Sequence, residues 1–152
     1  MTMTENELQD GRVVAIAGPV IDVEFPRGAL PELNSAIEFT IELEGESTVV
    51  LAEVAQQLGN SRVRAICMKP TDGLVRGTPV RNTGHGIQVP VGDGVLGNVW
   101  NVWGEALDTQ PEGLDEMERW DIHRPAPTFD SLEPSARMFE TGIKVVDLLT
   151  PY

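Results

Sequence analysis

From Ile37 to Glu44 apolar and polar side chains alternate without a break: Ile37, Phe39, Ile41 and Leu43 interleave with Glu38, Thr40, Glu42 and Glu44. Side chains of an extended strand point to opposite faces in turn, whereas a helix would scatter these four apolar groups around its circumference. The segment is read as a strand with its apolar row, Leu43 included, against a core. Its register is pinned too, because a slip of one residue would carry Glu38, Glu42 and Glu44 inward.

The neighbouring sequence repeats this grammar. Val14, Ala15, Ile16 and Ala17 run into the turn signal Gly18-Pro19, and then Ile21, Val23 and Phe25 alternate with Asp22 and Glu24. Gly45, Glu46 and Ser47 read as a turn, and Thr48 to Leu51 as the start of a returning strand. Gly59-Asn60-Ser61 turns the chain into residues 62–68, and a last short strand is expected at 79–81 after Gly77. Six short strands punctuated this often point to a small all-β barrel or sandwich over residues 11–83. Closure would remove edges that otherwise invite pairing with other chains. Residues 1–10 are read as a flexible N-terminus.

From about residue 84 the pattern changes. Ile87, Gln88 and Val89 suggest a short strand interrupted by Pro90. Leu96, Val99, Trp100 and Trp103 stand at i, i+3, i+4 and i+7, the spacing of one face of a short helix ending near Gly104. Residues 105–121 hold seven acids and one arginine, and Pro111 and Gly113 break any regular element there. His123-Arg124-Pro125-Ala126-Pro127 is expected to be extended, because a residue before proline avoids the helical region. Thr141 is placed to cap a final helix carrying Ile143, Val146 and Leu149. Nothing in 84–152 supplies a sheet that could cover these apolar faces, so the region reads as an incomplete domain.

Composition narrows the chemistry. The 152 residues carry 11 Lys and Arg against 24 Asp and Glu, a formal charge of -13, which leaves no basic footprint for nucleic acid. Cys67 is the single cysteine, so neither an internal disulfide nor a cysteine-rich zinc site is possible, and the thiol is expected to be buried and structural. The acidic start MTMTENELQD resembles neither a secretory nor a transit signal, and no run approaches the roughly 18 apolar residues of a membrane span. The chain is expected to be soluble and intracellular, meeting a membrane only through partners.

One motif invites a functional reading. Gly92, Gly94 and Gly97 match G-x-G-x-x-G, with acids about 20 residues further on. A dinucleotide site also needs a helix aimed at the pyrophosphate and a second parallel strand. Here Pro90 and a proline-broken acidic loop occupy those places, so the glycines read as a structural turn. A phosphate loop requires Gly-Lys-Ser or Gly-Lys-Thr, but Lys69 precedes Pro70 and Lys144 precedes Val145. The acidic stretch lacks the spaced ligands, turn glycine and terminal Glu of a calcium loop and reads as solvated. His85 and His123 lack helical metal spacing and read as non-catalytic, and the three tryptophans read as packing residues. Residue chemistry alone names no catalytic, ATP-binding or metal-binding residue.

Several blocks nevertheless resemble one family, in order along the chain. GRVVAIAGPVIDVEF at 11–25 resembles the opening of F-type ATP synthase beta subunits. EVAQQLG at 53–59 followed by Val63-Arg64, GLVRG at 73–77, and VPVG at 89–92 with Leu96-Gly97, Asn101-Val102 and Gly104 are similar to further blocks of that family. TGIKVVDLLTPY at 141–152 is similar to the segment that leads into its P-loop. Asn98 stands where the family usually has a basic residue, and Trp100 and Trp103 are bulkier than its usual aliphatics.

The resemblance implies a mainly β fold: a six-stranded N-terminal barrel at 11–83, then the incomplete start of an α/β P-loop nucleotide-binding domain at 84–152. It implies the N-terminal portion of a bacterial-type catalytic beta subunit. The complete subunit makes or hydrolyses ATP by rotary catalysis coupled to a transmembrane proton gradient. Mg2+ with ATP or ADP would be its ligands, none of them held by this segment. Alpha subunits in an alternating ring, a central rotor subunit and the remaining synthase subunits would be its partners. Its place would be the cytoplasmic side of the bacterial cell membrane, as a peripheral protein. A noncatalytic alpha-type or other rotary ATPase subunit and a free-standing β-barrel interaction module are the alternatives.

Overall fold

The computed structural model describes residues 9–43, 45–108 and 113–152. The expectations for residues 1–8, for Glu44 and for Pro111 lie outside them. Eight strands are described: β1 (Gly11–Ala17), β2 (Val20–Glu24), β3 (Ser35–Leu43), β4 (Glu46–Gly59), β5 (Arg62–Cys67), β6 (Pro79–Gly86), β7 (Gln88–Pro90) and β8 (Arg119–Asp121). A single α-helix, α1, covers Lys144–Leu149 among these residues.

The first six strands form a closed antiparallel barrel in the order β1-β2-β5-β4-β3-β6, as the alternation led us to expect. Antiparallel strands can be joined by tight turns, and the turns here use left-handed backbone: Gly45 at φ 87 between β3 and β4, Asn60 and Ser61 at φ 50 and 59 between β4 and β5. The core is built from alternate residues. Val13, Ile21, Val23, Phe25, Ile37, Phe39, Ile41, Val50, Ala52, Val54, Val63, Ala65, Cys67 and Val80 form one buried cluster. Asn82 is the one buried polar residue among those described, and its side-chain oxygen accepts a hydrogen bond from the Gly84 amide at 3.0 Å.

Leu43 departs from the expected pattern. Ile37, Phe39 and Ile41 are buried, but Leu43 is 49% exposed. It ends β3 opposite Glu46, where the strand has run past the barrel wall. Its remaining cover comes from the loop containing Gly73, where an added Cβ would stand 3.2 Å from the Leu43 side chain. Two strands also outrun their expected limits: β4 already begins at Glu46, and β6 continues to Gly86.

Beyond the barrel the expected helix at 96–103 is absent. A single 3-10 turn at Asp93–Val95 is followed by turns, and Trp100 bridges to Ala106 in a narrow antiparallel loop. Gly97 at φ 79 interrupts the helical path, and a helix carrying Leu96, Val99, Trp100 and Trp103 would need an apolar surface that these residues do not meet. Pro90 does not end β7 early; it pairs with Arg119, and the acidic stretch contributes β8, which sequence reading placed in a loop. Thr141 does not occupy the cap position next to α1, which falls to Ile143. The Thr141 hydroxyl accepts from the Ile143 amide at 3.1 Å and donates to Asp147 at 2.7 Å.

These packing differences set a direct test. Ile37 is wholly buried, so Ile37→Ala is expected to cost about 2–5 kcal/mol through lost burial and a cavity. Leu43→Ala is expected to cost well under half of that. Urea denaturation of both variants checks the contrast, and equal losses would contradict the placement of Leu43.

Candidate functional site

The barrel interior is occupied by the apolar cluster described above. Chemistry-bearing side chains therefore lie on the outside and at the ends. Cys67, 7% exposed at the end of β5, is buried against this cluster, and burial pushes its thiol up to about 11, which keeps it an unreactive neutral thiol.

On the wall, strand register brings opposite charges face to face. Asp22 lies opposite Arg64 and Glu24 opposite Arg62 across β2 and β5. Arg64 grips Asp22 with two bonds of 2.8 and 3.1 Å. Glu24 accepts from Arg12 of β1 at 3.1 Å and from Arg62 at 3.1 and 3.2 Å, so one carboxylate links three strands. Arg81 of β6 donates to Glu38 of β3 at 2.8 Å. The bonds from Arg12 and then Arg62 hold the Glu24 carboxyl below its ordinary value, and the bonds that Arg64 donates to Asp22 hold its guanidinium above its own. These are cross-strand pairs that support the sheet rather than groups poised for proton transfer.

Three tryptophans bracket the loop after the barrel. Trp100 donates to the Val95 carbonyl at 3.0 Å and Trp103 to Glu105 at 2.7 Å. Lys69, from the barrel's end, lies 3.4 Å from Glu105 and 5.9 Å from the Trp103 ring centre. Burial opposes ionisation of Glu105, but the bonds from Trp103 and Asn101 and the charge of Lys69 outweigh it and leave the carboxyl below its ordinary value. Trp120 is covered on one face by the Arg124 guanidinium at 3.5 Å. All three indoles thus serve local packing and hydrogen bonding.

The glycine motif sits on the 3-10 turn after β7. Gly92 has φ 96, and a Cβ on Gly94 would stand 2.9 Å from Met117, so close packing and a left-handed turn account for these two glycines. β7 pairs antiparallel with β8, and residues 96–108, directly after the turn, form no helix. The parallel arrangement that a dinucleotide site needs is not what these residues form.

His85 and His123, separated by 38 positions, come to one cavity of about 310 Å3, with Glu32, Asn34, Ser35 and Asp121 also on its wall. His85 Nδ1 donates to the Gly86 carbonyl at 2.7 Å. His123 Nε2 lies 2.9 Å from Glu53 Oε2 on β4. One oxygen of Asp121 is buried without a hydrogen-bond partner. Local sequence reading could not have joined these groups, because no period links positions 32, 53, 85 and 123. No group of three or more His, Cys, Asp or Glu among the described residues is arranged to hold a metal ion.

Many large apolar side chains after the barrel are exposed. Leu96, Val102, Leu107, Phe129, Phe139, Ile143, Val145, Leu148 and Leu149 are exposed, Phe129 at 91%. The only sheet after the barrel, among the described residues, is the two-stranded β7–β8 ribbon, too small to cover them. None of the described helices is long and apolar enough to cross a membrane, which says nothing of strands.

Residues 13–84 match the model of the ATP synthase alpha/beta family, beta-barrel domain. The barrel is similar to that domain. The match spans a little under half of the chain and coincides with the closed six-stranded sheet. Beta and alpha subunits share this match, so the distinction between them rests on other features.

The wall charges give a pH test with a defined sign. The Glu24 carboxyl is lowered in the folded chain, so its contribution is complete above the ordinary carboxylate range and is lost as pH falls through the folded value. The difference in urea midpoint between the wild type and Glu24→Gln is expected to be present at neutral pH and to shrink below about pH 4. A difference that stays constant across that range would contradict the assignment.

Proposed function

We propose that this chain is the N-terminal portion of the catalytic beta subunit of a bacterial-type F-type ATP synthase. The observation that carries the reading is the EVAQQLG block at 53–59, which lies on strand β4 of a barrel similar to the beta-barrel domain of the ATP synthase alpha/beta family. The alpha subunit does not share that block in this form. The adjoining blocks at 89–104 and 141–152 resemble the beta subunit in the same order.

The apolar surface of 96–149 supports the second half of the proposal. Burying a Leu- or Phe-sized side chain is worth about 1.5–3 kcal/mol, so a folded protein seldom leaves so many uncovered. They fit the first elements of a nucleotide-binding domain, with the rest of its sheet as their cover. In the complete subunit, Mg2+ with ATP or ADP would bind in that domain. Neither lysine of this segment that could serve a phosphate loop stands in Gly-Lys-Ser or Gly-Lys-Thr, so no step of ATP chemistry is assigned to its residues. Catalysis there would rest on electrostatic positioning of the transferred phosphoryl group.

The barrel's part would be mechanical. Joined to the barrels of neighbouring alpha and beta subunits, it would form a crown that holds the ring together around a rotating central shaft. Proton flow across the membrane would drive the shaft, with this subunit peripheral on the cytoplasmic side. The cross-strand charge pairs and filled core suit a rigid scaffold.

Two measurements test this reading. The coding sequence after Tyr152 is expected to continue into a glycine-rich Gly-Lys-Thr loop and then a catalytic glutamate. A loop without that glutamate would favour the noncatalytic alpha subunit, and no loop at all would favour a free-standing barrel module. Isothermal calorimetry of purified residues 1–152 with Mg-ATP is expected to show no binding tighter than micromolar, and submicromolar binding would overturn the assignment of the phosphate site to another segment.

A further inference from the structure

The dipeptide Asn-Ser occurs twice, at Asn34-Ser35 and Asn60-Ser61, and the fold treats the two copies differently. An asparagine followed by a small residue can cyclise on its own backbone. The nitrogen of the following amide loses its proton and bonds to the side-chain Cγ, and ammonia leaves. The succinimide ring then takes up water and opens to aspartate or isoaspartate, so water is the only co-reactant. A hydrogen bond on the attacking N–H opposes the step, and so does a stiff β-branched side chain beside it. Asn82, Asn98 and Asn101 are each followed by such a side chain, Thr83, Val99 and Val102.

Asn34 and Asn60 are both exposed, so exposure does not separate them. Hydrogen bonding does. The Asn34 amide donates to the Val54 carbonyl at 2.9 Å, and the Ser35 amide, the nitrogen that would attack, donates to the Glu32 carbonyl at 3.2 Å. Ser35 then enters β3 opposite Gly86. Asn60 and Ser61, by contrast, are the whole connection between β4 and β5, where the last ladder pair is Gly59 with Arg62. Both stand at positive φ, 50 and 59, as a two-residue hairpin turn requires. The Ser61 carbonyl accepts from the Phe25 amide at 2.9 Å, but among the described residues the Ser61 amide donates no hydrogen bond.

We infer that Asn60 is a site of spontaneous deamidation, and that the fold protects Asn34 in the same dipeptide. Each event replaces a neutral carboxamide with a carboxylate and adds negative charge to a chain already at -13. Where the ring opens to isoaspartate, the backbone of the β4–β5 turn also gains a methylene, beside the bond from Phe25 to Ser61 and the pair of Arg62 with Glu24.

Trypsin releases both sites in one peptide, residues 28–62, because no lysine or arginine lies between Arg27 and Arg62. The folded 152-residue chain is aged in mildly alkaline buffer at body temperature and digested, with an unaged sample as the baseline. Fragment-ion mass spectrometry then places the mass gain within the peptide. The rate at Asn60 is expected to exceed that at Asn34 by about tenfold or more, because Asn34 must first open its two backbone bonds. In concentrated guanidinium chloride the two rates are expected to converge to within about twofold, since the protection belongs to the fold. Asn60→Gly suits the left-handed turn and is expected to abolish the fast gain in this peptide. Equal rates in the folded chain, a faster Asn34, no gain at Asn60, or a fast gain that survives Asn60→Gly overturns the inference. So does an excess at Asn60 that persists undiminished in guanidinium chloride, which would assign it to the neighbouring residues rather than to the fold.

Discussion

Closure of the barrel between β1 and β6 is the constraint on which the remaining structure depends. The seam is short: Gly11 pairs with Val80 and Arg12 with Pro79, and Val13 then exchanges backbone bonds with Thr78 and Gly77 at 3.0 and 2.8 Å. Gly11 permits it, because a Cβ there would lie 2.8 Å from both the Glu24 carbonyl and the Phe25 ring. Without the seam, β1 and β6 would be open edges, and Val13 and Val80 would lose their cover. With it, every inward residue finds partners on several strands, and a core of modest side chains becomes continuous.

Closure also fixes what the exterior can do. Once register is set by the buried rows, the outward rows follow, and Asp22, Glu24 and Glu38 fall opposite Arg64, Arg62 and Arg81. Individually such exposed pairs contribute little. Their value lies in specifying register twice over, because a slip would both bury carboxylates and set mismatched groups opposite one another. A wall of this kind suits a rigid scaffold better than a site for turnover.

The second region obeys different physics. It is held by the β7–β8 ribbon, by turns requiring glycine, and by local polar anchors such as Asp147, whose carboxylate accepts from the Thr141 hydroxyl and from the Thr141 and Gly142 amides. These bonds shape the chain but bury little apolar surface, so Leu148 and Leu149 remain outside. The helix expected at 96–103 fails for the same reason. Amphipathic spacing describes a face that could be buried, but a short helix is marginal until something buries it.

The amino-acid sequence by itself determined the barrel. Alternation at 37–41, the Gly59-Asn60-Ser61 turn and the spacing of the strands are local signals, and backbone geometry converts them directly into strands and turns. The sequence also showed that neither of its lysines stands in a phosphate loop, and its ordered blocks carried the family resemblance. Tertiary structure alone decided that Leu43 lies past the barrel's wall, that Pro90 pairs with Arg119, and that His85 and His123 meet at one cavity beside Glu53. Each of those outcomes depends on where a strand ends or which distant segment lies beside it. Periodicity reports the direction of a side chain relative to its near neighbours, whereas these contacts arise from chain closure over tens of residues.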